Sequence, residues 1–157
     1  MTTEIDRLEL CEKEHLVALA TLAAILCLPR FEEEYPKDNG PRQSIYATLN
    51  WIKNPSQKMA EKVKAAKIKF WTTEAGWKSA LWAAEAAGAA AIWAEETETK
   101  AAVKTAGAAA IAVAASWMAA SGETFKENFN CLAEQLLDLP KNKLADFLEE
   151  KLREKVS

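Results

Sequence analysis

The chain contains one histidine, His15, which follows Cys11 by four residues. At this spacing both side chains lie on one face of a helix, where an imidazole and a thiolate could share a metal ion or a proton. A zinc site needs three or four ligands, and the sequence has no second cluster of Cys and His residues to complete one. We therefore predict no metal site and interpret His15 as a partly buried or surface side chain.

The segment FEEEYPKDNGPR, residues 31–42, gathers carboxylates that could act as acids or bases. They are Glu32, Glu33, Glu34 and Asp38. Acid–base catalysis requires one carboxyl group with a raised pKa in an apolar pocket, whereas consecutive glutamates at a helix end point several ways into water. The sequence also lacks a glycine-rich phosphate loop and a dinucleotide fingerprint. The pattern favours a protein that is not an enzyme and needs no cofactor.

Helices must position these residues, because the chain has no run of alternating apolar and polar residues of the kind that forms a strand. We predict an all-α, single-domain bundle of about seven helices over the whole chain. The first helix covers residues 4–31, and the second covers residues 41–53 and stops before Asn54-Pro55. Ser56 is the predicted N-cap of the third helix.

The corner between the first two helices has a structural explanation for each of its residues. Pro36 and Gly40 stop the first helix and turn the chain. Asp38 or Asn39 is placed to cap the second helix. Arg42 is expected to reach back to an acidic side chain of the corner as a charge-assisted clamp. The candidate partners of this clamp are Glu32, Glu33 and Asp38.

The middle of the chain predicts two Ala-rich helices, over residues 73–94 and 97–120. A helix that is apolar on nearly all sides is surrounded by protein, so we expect these two to be central, with the other helices packed around them. Trp82 and Trp93 are eleven residues apart, close to three helical turns, and share one face against small alanines. Residues 105–122 carry no charge, but alanine is only marginally apolar, which favours a buried helix over a membrane span.

The last two helices are predicted to be ordinary amphipathic ones, separated by Pro140. The apolar stripe of the first consists of Phe125, Phe129, Leu132 and Leu136. The stripe of the second consists of Leu144, Phe147, Leu148 and Leu152. Each stripe should face the core of the bundle.

Composition and charge narrow the function further. The formal net charge of -3 gives no support to nucleic-acid binding, which depends on many contacts between basic side chains and phosphates. The three cysteines show no CxxC spacing and are typical of reduced thiols in a cytosolic protein. The first 14 residues are net acidic, whereas a secretory signal begins with a basic segment. We therefore expect a cytoplasmic protein that binds neither nucleic acid nor membrane.

Charge is unevenly distributed along the chain. Residues 1–50 carry a formal charge of about -4, whereas residues 51–70 hold six lysines and one glutamate. The third helix is thus apolar on one side and cationic on the other. The cationic side is either a solvated face or a docking surface for an acidic partner. The predicted partner-binding residues are Lys58, Lys62 and Lys69 together with Glu32, Glu33, Glu34, Asp38 and Arg42 of the corner.

The order of residues 28–51, LPRFEEEYPKDNGPRQSIYATLNW, resembles the signature of the immunity-protein-five-like family, immunity proteins of bacterial polymorphic toxin systems. The matching positions are Leu28, Pro29, Phe31, Glu32, Pro36, Asp38, Pro41, Arg42, Ile45 and Trp51. Gly40 departs from the pattern, where the family usually has arginine, and the Ala-rich middle lacks the family's histidines. The resemblance implies a cytoplasmic, non-catalytic protein that binds and neutralises a toxin.

Two other hypotheses remain open at this point. A structural or oligomeric module would pack its Ala-rich helices against a second copy of the chain, with Trp82 and Trp93 at the contact. A small-molecule-binding protein would instead enclose a Trp-lined pocket between the central helices. Glu85 would then be the first polar residue to examine, because it is a lone carboxylate in an apolar stretch.

Overall fold

The computed structural model describes residues 13–34, 37, 39–71 and 125–156. The helices of this part are α1 (Lys13–Glu34), α2 (Gly40–Lys53), α3 (Gln57–Trp71), α4 (Phe125–Leu137) and α5 (Leu144–Val156), with a short 3-10 helix, Lys141–Lys143, before α5. These residues contain no strand, so the predicted all-α class is confirmed. The described part holds five α-helices rather than seven, and the two Ala-rich helices predicted over 73–94 and 97–120 lie outside it.

The middle of helix α1 is buried around its whole circumference. Every residue from Leu16 to Leu28 is buried, and the helix packs against α2, α4 and α5. A helix apolar on all sides is stable only when protein surrounds it. Helix α1 is thus central among the described helices, although it was expected to pack around the two Ala-rich helices, which lie outside the described residues.

The end of α1 differs from its predicted position. The helix continues past residue 31 and includes Pro29 in its last two turns. Proline has no N–H, so the carbonyl of Ile25 does not receive the usual hydrogen bond from the residue four positions later. Helical geometry nevertheless persists to Glu34, because the missing bond lies near the end of a long helix whose preceding turns are buried.

The predicted stop of α2 and start of α3 are confirmed. The backbone N–H of Asn54 donates to the carbonyls of Asn50 and Trp51, both at 3.1 Å, and the helix ends there. Ser56 then caps α3, since its Oγ accepts the backbone N–H of Met59 at 3.2 Å. This is the N-cap interaction expected of serine, which satisfies one of the unpaired N–H groups of the first turn.

The start of α2 confirms one expectation and narrows another. Pro41 lies in the first turn, where a missing N–H costs nothing. Asn39 occupies the N-cap position, but its side chain makes no capping hydrogen bond. Its backbone carbonyl accepts the N–H of Gln43 at 2.9 Å instead. Of the two predicted caps, Asn39 is therefore excluded, and the other, Asp38, lies outside the described residues.

The core joins helices from both ends of the chain. Trp51 of α2 is 1 % exposed and is the largest of the fully buried side chains in the described part. The described members of the predicted stripes of the last two helices also face the core, while the side chain of Phe125 is outside what the structure describes. Their fully or nearly fully buried members are Phe129, Leu136, Leu144, Leu148 and Leu152, while Leu132 and Phe147 pack against them.

Two polar contacts connect distant elements. The ring of His15 lies against the carbonyl of Leu139, with 2.7 Å between Nε2 and the oxygen. A carbonyl can only accept, so Nε2 carries the proton and donates. His15 is only 8 % exposed and is therefore more buried than the sequence suggested. Separately, the ammonium of Lys53 on α2 forms an ion pair with Glu149 on α5.

None of the helices in the described residues combines the length and apolar character needed to cross a membrane. The uncharged stretch at residues 105–122, considered above as a buried helix, lies outside that part of the chain.

Candidate partner-binding groove

The end of α1 and the start of α2 are held together by a bidentate ion pair. Arg42 donates from Nε to Oε2 of Glu32 at 2.8 Å and from Nη2 to Oε1 at 2.7 Å. Two parallel bonds between a guanidinium and a carboxylate fix both the distance and the orientation of the pair. The predicted clamp is confirmed, and Glu32 is its acidic partner.

The surroundings of Arg42 strengthen its positive charge. The hydrogen bonds to Glu32 raise the pKa of Arg42 above its ordinary value, and a smaller contribution from Tyr46 acts in the same direction. Partial burial opposes both effects but does not cancel them. Arg42 is therefore a cation at every ordinary pH, and its charge is matched locally by Glu32.

A groove of about 570 Å³ lies between α2 and α3, next to this clamp. Its lining residues are Asn39, Gly40, Gln43, Tyr46, Ala47 and Asn50 from α2 and its N-cap, and Lys62, Ala65 and Ala66 from α3. The α2 members recur every three or four residues and so form one helix face. The groove exists because alanines on both walls are too short to fill the space between the helices.

Tyr46 is the principal apolar group of the groove. It is 41 % exposed and is the large hydrophobic side chain that the described residues leave open to solvent. Gln43 and Asn50, both exposed, lie one turn before and one turn after it on α2. An aromatic ring is thus flanked by two amide groups that can each donate and accept hydrogen bonds.

The charge of the groove comes from α3. Glu61 is the only acidic residue of that helix, and it accepts hydrogen bonds from Gln57 Nε2 at 2.9 Å and from Lys64 Nζ at 3.4 Å. Lys62 and Lys58 are exposed, and within the described ranges neither forms an ion pair. The wall of the groove formed by α3 is therefore cationic, and Lys62 lies at its lining.

The predicted partner-binding residues are distributed unevenly over this site. Lys62 lines the groove, whereas Glu32 and Arg42 are engaged with each other beside it. Glu33 and Lys58 are exposed but do not line it. The side chains of Glu34 and Lys69, and of the motif residues Phe31 and Pro41, are beyond what the structure describes. Asp38, Pro36, Trp82, Trp93, Glu85 and Cys11 lie outside the described residues altogether.

Sequence reasoning missed the groove residues of α2, above all Gln43, Tyr46 and Asn50. The sequence pattern did indicate them, since these polar and aromatic residues share one face of α2, and the buried residues Ile45 and Leu49 lie on the other side of the helix. The prediction instead followed the charged residues of the neighbouring corner and of α3. The described residues contain no cluster of three or more His, Cys, Asp or Glu side chains able to hold a metal ion.

Comparison of the chain with protein-family models, with curated proteins and with solved structures gave no match. Two features of the chain therefore bear on its function: the motif at residues 28–51 and the groove that part of this motif helps to form.

Proposed function

We propose that this chain is a non-catalytic binding protein that neutralises a bacterial toxin protein in the cytoplasm, and that it contacts the toxin through the groove between α2 and α3. The observation that carries this proposal is the open groove itself, with the exposed ring of Tyr46 at its centre and polar side chains around it. The resemblance of residues 28–51 to immunity proteins supports the choice of partner.

The groove has the composition of a protein-binding surface. Tyrosine is enriched among the residues that dominate binding energy, and these residues are normally surrounded by polar groups that exclude water once the partner is bound. Gln43 and Asn50 can supply that rim. Lysines on the neighbouring helix would raise the rate at which an oppositely charged partner docks.

In this proposal, the motif that resembles immunity proteins holds α2 in place. Its Glu32 and Arg42 join α1 to α2, and its Trp51 anchors the far end of α2 in the core. Helix α2 is thus fixed at both ends and holds its outer face in a constant position. A preformed surface binds with a smaller loss of conformational entropy than a mobile one.

The proposal extends to the architecture of the whole chain. We place the two Ala-rich segments, residues 73–94 and 97–120, as further helices of one bundle without a cofactor. No part of this arrangement requires a catalytic residue, a metal or a nucleic acid.

Co-expression with the protein encoded by the neighbouring gene, taken as the candidate toxin, tests the proposal. Wild-type protein should restore growth and bind the toxin directly. Tyr46→Ala should weaken binding by at least about tenfold, or about 1.4 kcal/mol, because it removes the aromatic anchor. Gln135→Ala, an exposed position on α4 outside the groove, is the matched control and should bind like wild type.

Absence of binding and of growth rescue by the wild-type protein would overturn the proposal. The alternative of a structural module would be favoured by one specific result. In that case the purified protein would be a homodimer by light scattering, and Trp82→Ala or Trp93→Ala, at the contact expected for that module, would convert it to a monomer.

A further inference from the structure

We infer that the groove between α2 and α3 accepts an acidic segment of the partner protein, with a carboxylate at Lys62 and an apolar side chain against Tyr46. This inference rests on the proposed function and specifies the chemistry of the partner. It concerns the residues that line the groove, and it assigns no contact to the acidic residues of the corner.

The balance of charge at the groove favours an acidic ligand. Two described carboxylates, Glu32 of the clamp and Glu61 of α3, already have partners: Glu32 is bound by Arg42, and Glu61 by Gln57 and Lys64. Lys62 is exposed and has no ion pair within residues 39–71 or the other described ranges. A positive charge therefore remains at the groove for a ligand to match.

The pattern of hydrogen-bonding groups favours the same ligand. Gln43 and Asn50 project from one wall, and both carry two N–H donors as well as an acceptor. Donors from these amides and from Lys62 suit carboxylate and backbone carbonyl oxygens. A basic segment would be repelled by the like charge of Lys62 and would offer no carboxylate oxygen to accept its hydrogen bonds.

The shape of the groove fits a peptide segment. The side chains that line the groove include three short ones, Ala47, Ala65 and Ala66. A peptide backbone can therefore approach both helices closely. Among the described residues, Tyr46 then offers the large exposed apolar surface on which a side chain of the segment can pack. A segment that fits the groove therefore carries both apolar and acidic side chains. A polyanion such as nucleic acid has no apolar side chain to pack on Tyr46.

The inference is tested on the full-length protein with a short capped peptide of glutamate and leucine as the probe. Two-dimensional amide NMR should show shifts of the Gln43 and Asn50 side-chain amides and of the backbone around Lys62. Lys62→Glu should weaken binding by about tenfold or more. Lys143→Glu is the matched control, because this exposed lysine does not line the groove. A peptide with lysine in place of glutamate should not bind.

Three results would overturn the inference: no shifts at the groove, equal binding of the lysine peptide, or equal weakening by the two substitutions. The toxin assay separates this inference from the proposed function. If wild-type protein and Lys62→Glu neutralise the toxin equally, the acidic-segment inference is wrong and the proposed function stands. If the acidic peptide binds at the groove but the toxin does not bind at all, the proposed function is wrong and the groove chemistry stands.

Discussion

Arg42 has two of its donors committed to one carboxylate, so its removal has a defined consequence. Arg42→Ala should lower the free energy of unfolding by about 1–2 kcal/mol, because it leaves Glu32 without its partner. The expected loss is modest because the two side chains are 19 % and 30 % exposed, and water can compensate in part. Urea unfolding measures the change. Arg153→Ala, an exposed arginine on α5, should change stability by less than about 0.5 kcal/mol.

The pH dependence of this contribution follows from the direction of the pKa shift. Glu32 raises the pKa of Arg42, so the stability that comes from the charged form is fully present below the ordinary pKa of arginine and is lost only as pH rises beyond it. The difference in stability between wild type and Arg42→Ala should therefore stay constant between about pH 6 and pH 9. A difference that shrinks across this interval would show that another titrating group controls the pair.

His15 forms a hydrogen bond between distant segments, and its contribution to stability can be compared with that of a bond within one helix. Its Nε2–H bonds to Leu139, 124 positions away, and within the described residues Nδ1 has no hydrogen-bond partner. His15→Ala should cost about 2–4 kcal/mol, because it breaks a buried bond between distant segments and leaves a cavity. Thr21→Val is the control. The Thr21 hydroxyl bonds only to Val17 in the same helix, so its loss should cost less than about 1 kcal/mol. Equal losses in thermal unfolding would argue against a long-range role for His15.

At the scale of the elements, the two caps next to α2 and α3 give opposite expectations. Ser56→Ala should lower stability by about 1 kcal/mol, because its hydroxyl satisfies the N–H of Met59. Asn39→Ala should change stability by only a few tenths of a kcal/mol, since the Asn39 side chain makes no capping bond. Chemical unfolding of the two variants side by side measures both. A loss at Asn39 equal to that at Ser56 would contradict the observed cap geometry.

Local signals are the part of the fold that the sequence predicts well. Asn54-Pro55 and Ser56 mark a helix end and a helix start through backbone sterics and one short hydrogen bond, so neighbouring residues suffice to predict them. The Glu32–Arg42 pair spans only ten positions across one corner and is predictable for the same reason. The end of α1 shows the limit, because the helix continues to Glu34, past the predicted end at residue 31.

At the scale of the whole molecule, prediction fails where a feature depends on two distant segments. The bond between His15 and Leu139 joins α1 to the loop after α4, and no local pattern indicates it. The groove likewise depends on two helices. The alanines of α3 form one of its walls only because α2 packs beside them and places Tyr46 on the other wall. Lys62 was found from charge alone, whereas Tyr46 required the packing of α2 on α3.

The central position of α1 leads to a last prediction, which concerns cooperativity. Leu22 is fully buried on α1, and α1 packs against helices that precede and follow residues 72–124 in the chain. Leu22→Ala should therefore cost about 3–4 kcal/mol and should destabilise both groups of helices together. Far- and near-ultraviolet circular dichroism should report one coincident thermal transition for wild type and variant alike.

The matched control is Leu132→Ala on α4, a half-buried leucine at the edge of the same core. It should cost less, about 1–2 kcal/mol, because water already reaches part of the side chain and the space left behind is smaller. Two separate transitions in Leu22→Ala would contradict the single-domain prediction, because the N-terminal and C-terminal helices would then unfold independently. Coincident transitions would instead mean that α1 couples the groove to the C-terminal helices, so that changes in the core alter how firmly the proposed partner-binding surface is held.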